Sequence, residues 1–370
     1  MTARSLRQLL LVILFALVGI GLVAVYSSSA MVCEMTYGDS FYFLKTQLFG
    51  VALGLALAVG CLFVPFEKIR SSSRWLLIAS FVLLVLVLAV GQQVGGAQRW
   101  FRIGHFSVQP SELAKLSLIL YMADALERKA DHIRSFWKGV LPLLAIAGLA
   151  ALLTLMQPDL GTALVMVSVT FILLAVANAD RKQLLGLGIL GVAALVVLIG
   201  SAEYRRRRML AFLDPWQDPH GIGYQIIQSY CALARGGVWG VGLGSSWQKL
   251  FYLPSAHTDF IFAILGEELG WIGTSAVIGL FGLLVTCGFR LAMLAQNAFS
   301  KYVLCGIVGM LGLEAVINIG VVTGMLPTKG LPLPFISYGG TSMVINLLAA
   351  ALIFQASRYG ERHGARPVSE

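Results

Sequence analysis

Long apolar runs recur along nearly the whole chain, and nothing else in the sequence limits its fold as much. A helix crossing about 30 Å of hydrocarbon needs about 20 predominantly apolar residues. Segments of this kind lie at 9–29, 41–64, 75–92, 111–126, 139–156, 160–178, 183–200, 258–289, 302–325 and 340–357. They predict an all-α polytopic membrane protein with about ten transmembrane helices. The charge content agrees: 12% of the 370 residues are charged, where a soluble domain carries about twice that fraction. The first run exceeds a usual signal-peptide core and lacks a small-residue cleavage site, so it reads as a retained helix. The fourth carries Glu112, Lys115 and Asp124. Periodicity supports it weakly, but without its crossing the basic loops no longer share one side.

The net charge of +9 is a topology signal rather than a nucleic-acid signature. Basic residues cluster at Arg4 and Arg7, at Lys68, Arg70 and Arg74, at Arg128, Lys129, Arg134 and Lys138, at Arg181 and Lys182, at Arg290 and Lys301, and at Arg358, Arg362 and Arg366. With the N-terminus inside, all of these fall on the cytoplasmic side and both termini are cytoplasmic. The short segment 32–40 carries only acidic charge, Glu34 and Asp39. Arg205, Arg206, Arg207 and Arg208 break the pattern, at the head of the large outer loop 201–257. Long loops translocate largely regardless of charge, and long ordered loops tend to carry function. No internal repeat or soluble domain interrupts the chain, which reads as one unit over 1–370. The five cysteines have no metal-ligand spacing. Cys33 and Cys231 both face outward in this topology, which leaves a disulfide open.

Polar residues at the edges of apolar spans default to functional hypotheses, and here they gather on the outer side. Gly96 to Arg102 includes Arg99 and Arg102, and the next helix opens on Pro110 and Ser111. Glu112 and Lys115 share a helix face at i, i+3, either as a structural ion pair or as site residues. Asp159, in Gln157-Pro158-Asp159, is either a helix N-cap or a cavity group. Asp259, in His257-Thr258-Asp259-Phe260, stands at the expected start of the eighth helix. There it is either a cap or a general base, whose pKa burial would raise and nearby cations would lower. His257 reads as structural more readily than as catalytic, and Glu267 and Glu268 as a structural network. The glycines at 236–244 do not follow a strand, which argues against a nucleotide loop. Prolines and glycines in 326–342 predict non-helical backbone that lines a cavity or is buried in protein, with Lys329, Ser337 and Tyr338 as donors.

The blocks "GLGSSWQKLFYLPSAHTDFIFAILGEELG" and "LPTKGLPLPFISYGG", with Gln109–Lys115, resemble the SEDS family (FtsW, RodA and SpoVE). The resemblance covers nearly the whole chain and is nearest to the cell-division branch, FtsW. It implies a peptidoglycan glycosyltransferase that polymerises lipid II at the outer face of the cytoplasmic (inner) membrane. Asp259 would be the catalytic base. Arg99, Arg102 and Lys115 would stabilise diphosphate charge, with Glu112, Asp159, His257, Lys329, Ser337 and Tyr338 binding substrate. It also implies a class B penicillin-binding protein transpeptidase and other divisome proteins as partners, membrane lipids around the bundle, and no nucleic acid. A divalent cation could share the leaving-group charge, but the sequence has no dedicated cage. Ser255 stands where the family usually has an acid. An elongation polymerase of the RodA kind, a lipid II transporter and a transpeptidase scaffold are the competing readings.

Overall fold

The computed structural model describes residues 2–94, 97–103 and 106–362; Gly96 and Arg366 lie outside the described residues. Each expected apolar segment coincides with a helix: α1 Ala3–Tyr37, α2 Tyr42–Phe63, α3 Phe66–Val90, α4 Pro110–Arg128, α5 Leu141–Met156, α6 Leu160–Val176, α7 Arg181–Gly200, α10 Ile261–Leu294, α11 Ala298–Val322 and α12 Gly340–Arg362. Two more, α8 Glu203–Leu213 and α9 Tyr224–Gly236, lie in the long loop. Among the described residues, eight helices are long and apolar enough to cross a membrane, α5 together with the turn that opens at Phe136. Two of the ten expected crossings fall short of that standard. The ionised side chains of α4 lower its hydropathy, and α6 has only 17 residues.

Local signals set the helix starts. Pro110 occupies the first turn of α4, where its missing N–H costs nothing. Asp159 caps α6 by accepting from the Thr162 amide, and Asp180 caps α7 by accepting from the Lys182 amide. Asp259 departs from expectation. The N-cap of α10 is Phe260, and Asp259 lies in the turn before it. The segment 92–108, expected to be loop, pairs as a three-stranded antiparallel meander: β1 Gln92–Val94, β2 Ala97–Ile103 and β3 Phe106–Val108. It packs on α3, α4 and α12 and holds Arg99 and Arg102 on β2.

The bundle is uneven. α11, packed against α4, α6, α10 and α12, is the most buried of the candidate spans. α7, at the other extreme, has no buried residue. Small residues permit the close approaches: a Cβ on Gly21 of α1 would sit 2.8 Å from the Ile336 Cα. The segment 325–339 is non-helical, yet Leu331, Leu333, Phe335, Ile336 and Ser337 are buried. Part of its backbone bonds inside the protein. Asn318 Nδ2 donates to the Leu331 carbonyl at 2.7 Å, Gln47 Nε2 to the Ser337 carbonyl at 3.2 Å, and the Gly339 amide to Gln47 Oε1 at 3.2 Å.

α10 is broken at Gly270, whose φ of 66° and ψ of −165° suit glycine alone. The backbone groups released there are taken up by the loop that follows α9. The Val241 and Gly242 amides donate to the Glu267 and Glu268 carbonyls, both at 3.0 Å. The Trp271 and Ile272 amides donate to the Gly237 and Val238 carbonyls at 2.9 and 3.3 Å. The Glu267 carboxylate accepts from the Ser246 hydroxyl, the Trp247 and Gln248 amides and Arg235. Glu268 accepts from Ser27 and Lys249. The two glutamates thus form the structural network that their sequence suggests. All five cysteines are free, so Cys33 and Cys231 form no disulfide.

Candidate functional site

At the end of the bundle where α4 and α6 begin and α7 ends, a cavity of about 280 Å³ opens. Its walls come from β2, the start of α6, the end of α7, α8, α9, the turn before α10 and the segment after α11. Four cationic side chains line it, Arg99, Arg205, Arg208 and Lys329, against two carboxylates, Asp159 and Asp259. The excess positive charge suits an anionic ligand.

The two carboxylates differ in how they are engaged. Asp159 accepts from the Thr162 amide at 3.1 Å, the Thr162 hydroxyl at 2.9 Å and Gln109 Nε2 at 3.4 Å. Asp259 is half-buried, and its carboxylate has no hydrogen bond or ion pair among the described residues. Its backbone is held instead, with Asn318 Nδ2 donating to the Asp259 carbonyl at 2.9 Å. Burial pushes the Asp259 carboxyl up to about 6. Arg208 opposes that rise, Asp159 adds to it, and Arg99 opposes it. Space beside the carboxylate is kept by Gly330, where a Cβ would come 3.3 Å from Asp259 Oδ2.

The cations are positioned from several elements. Arg99 donates through Nε to the Gln157 carbonyl at 2.8 Å and also to the Pro158 carbonyl, with its Nη1 4.0 Å from Asp159 Oδ2. Arg205 and Arg208, three apart on α8, share a helix face. Arg205 donates to the Leu198 carbonyl at 2.9 Å. Arg208 stacks 4.4 Å over the Tyr204 ring and donates to the Thr328 carbonyl at 3.4 Å. The half-buried Lys329 ammonium has no partner among the described residues, and burial pushes its pKa down. In sequence, Arg205 and Arg208 stand out only as an exception to the charge rule. Their i, i+3 spacing was the available signal, but the cavity residues Arg99, Asp159, Asp259 and Lys329 lie far away in sequence. Among the described residues no group of three or more His, Cys, Asp or Glu could hold a metal ion.

Of the residues singled out from sequence, Arg99, Asp159, Asp259 and Lys329 meet in the cavity. Arg102 is exposed on β2, opposite Ser107, outside the cavity lining. His257 packs against Phe43 and Tyr338, with ring centroids 4.7 and 5.7 Å away, and burial pushes its pKa down to about 4. Its carbonyl accepts from the Tyr338 amide at 3.0 Å. Ser337 Oγ donates to the Thr258 carbonyl at 2.7 Å and accepts from the Leu333 amide at 2.8 Å. His257, Ser337 and Tyr338 therefore brace the turn that presents Asp259.

Glu112 and Lys115 do pair, at 2.9 Å, but the pair is fully buried and Lys115 also bridges to Glu314 of α11. The space beside Lys115 is about 10 Å³, room for at most one water. Neither side chain lines the cavity, so a direct contact between Lys115 and a diphosphate finds no opening here. Glu314 precedes Asn318 by one helical turn on α11, and Asn318 holds the Asp259 backbone.

A family model described as "Cell cycle protein" (FtsW, RodA, SpoVE) matches residues 7–362. The chain is 43% identical over 361 residues to "Stage V sporulation protein E" of Bacillus subtilis, covering 97% of this chain and 99% of that one. It is 44% identical over 350 residues to "Probable peptidoglycan glycosyltransferase FtsW" of Trichlorobacter lovleyi, covering 94% and 92%. A chain from a solved structure, "Structural coordination of polymerization and crosslinking by a peptidoglycan synthase complex", superposes with a TM-score of 0.80 at 35% identity, covering 95% and 98%.

Proposed function

This chain belongs to the FtsW/RodA/SpoVE family of cell cycle proteins, and we propose on that premise that it is a peptidoglycan glycosyltransferase polymerising lipid II. It is an integral membrane protein of many apolar helices. Positive residues gather at the opposite end of the bundle, and the positive-inside rule supports a cavity at the outer face of the cytoplasmic membrane. The observation that carries the reading is the Asp259 carboxylate, unpaired among the described residues in a cavity ringed by Arg99, Arg205, Arg208 and Lys329. In the reaction, the 4-hydroxyl of one lipid-linked sugar attacks the anomeric carbon of another. Asp259 takes the hydroxyl proton as the new C–O bond forms. The bond to the diphosphate breaks, and the four cations stabilise the charge it carries away. Asp159, committed to its cap and to Gln109, orients the α6 side of the site.

Lys115 acts through position. The buried Glu112–Lys115–Glu314 triad fastens α4 to α11, and Asn318, the next turn of α11, fixes the Asp259 carbonyl. The transporter reading loses support, because the Glu267 and Glu268 carboxylates and Asn318 Nδ2 bond within the protein rather than along a path. Likeness to relatives named FtsW and stage V sporulation protein E favours septal or spore wall synthesis over elongation. A class B penicillin-binding protein transpeptidase is the expected partner, with other divisome proteins around it.

The test is polymerisation of lipid II by the purified chain, with and without its cognate transpeptidase. Glycan strands are expected in the wild type and lost in Asp259→Asn. Absence of strands from a folded wild-type complex would overturn the polymerase reading. Wild-type turnover by Asp259→Asn would overturn the base.

A further inference from the structure

Away from the cavity, at the opposite end of the bundle, two grooves adjoin where α6 hands over to α7. One, of about 610 Å³, is polar and includes Arg134, Asn178, Asp180 and Arg181. The other, of about 640 Å³, runs along α7 past Leu185, Gly188, Ile189 and Val192. Arg181 and Leu184 line both. From Arg181 to Val192 the helix rises about 16 Å, close to half of a hydrocarbon core of about 30 Å.

We propose that this pair of grooves binds one anionic phospholipid of the leaflet on that side. Its phosphate sits between Arg134 and Arg181, and one acyl chain lies along α7 over Gly188. Charge complementarity selects the occupant. Neither guanidinium has a hydrogen bond or ion pair among the described residues. The nearby acid, Asp180, is turned to its own helix and accepts from the Lys182 amide at 2.8 Å. Lys182 is exposed next to it and adds to the positive balance. The floor of the head site is tied down by Gln183 Nε2, which donates to the Arg134 carbonyl at 3.1 Å. Gly188 leaves the chain groove open, since a Cβ there would meet nothing within 4 Å. α7 also has no buried residue. A bound lipid supplies the lateral packing that the protein does not provide.

The two halves of the site can be broken separately. The full chain in detergent is titrated with dioleoyl phosphatidylglycerol or dioleoyl phosphatidylcholine, and bound lipid is counted by native mass spectrometry. Phosphatidylglycerol should be retained in preference to phosphatidylcholine. Arg134→Gln with Arg181→Gln should weaken its retention about 30-fold, at about one kcal/mol for each cation near an anionic headgroup. Gly188→Leu, which fills the chain groove without altering charge, should weaken it too. Circular dichroism verifies the fold of each variant. Equal retention of both lipids by the wild type would overturn the proposal. So would full retention by the double arginine variant. Loss in that variant with none in Gly188→Leu would reduce the site to headgroup adsorption and overturn the two-part geometry. No readout depends on lipid II, so failure here leaves the polymerase reading untouched.

Discussion

Two clusters of ionised side chains lie on either side of Asn318, and they are built on opposite terms. In the triad, Lys115 meets both Glu112 and Glu314, all buried, with space for no more than a water. At the cavity, Asp259 and Lys329 are half-buried and have no partner among the described residues. Burying an ion is costly unless it is paired, so the sealed cluster pairs its ions with one another. The open cluster leaves that pairing to a ligand. A charged group that reads as functional from its place in an apolar span can therefore belong to either kind. Accessibility separates them where residue type does not.

The sharpest way to break the contrast is Asp259→Asn. Polymerisation should fall by about 100-fold or more, with thermal stability near wild type because the carboxylate makes no intramolecular bond. A large fall in melting temperature would move Asp259 into the structural class. Lys115→Ala should do the reverse, leaving two carboxylates face to face and costing about 3–5 kcal/mol of stability. Adding Glu112→Gln and Glu314→Gln should recover much of that loss on thermal unfolding. A stable Lys115→Ala protein that has lost only turnover would place Lys115 on the substrate instead.

Smaller effects sharpen the picture of the open cluster. Turnover needs ionised Asp259, so it should fall as pH drops through about 6, the value to which burial lifts the carboxyl. Arg208 favours the anion, so Arg208→Gln should lift the pKa further and move this acid limb to higher pH. Turnover at neutral pH should drop about ten-fold as one cation leaves the developing diphosphate. An unmoved pH profile would separate Arg208 from Asp259. Gly330→Ala crowds Asp259 Oδ2 with a new methyl group and should cost a few-fold in kcat, with melting temperature unchanged.

Much of this organisation was legible from residue order. The apolar runs located the helices, Pro110 and Asp159 marked two of their starts, and Pro327, Pro332 and Pro334 announced the non-helical segment. The Glu112–Lys115 pair followed from i, i+3 spacing. Glu314, 199 residues from Lys115, did not, because no local pattern records which helix faces which. The direction of Arg205 and Arg208 was hidden for the same reason. Ala97–Ile103 gave no clean strand signal, because Gln98-Arg99 and Trp100-Phe101 break the period-two alternation.

The break at Gly270 has a mechanical consequence. Four main-chain hydrogen bonds splint the 237–242 loop into the gap in α10, so lifting the loop away leaves the carbonyls of the buried Glu267 and Glu268 without these partners. These bonds join the surface loop to both sides of the break, including the end of Ile261–Leu269, the short arm of the helix. Asp259 rides at the tip of that arm, two residues beyond its first turn.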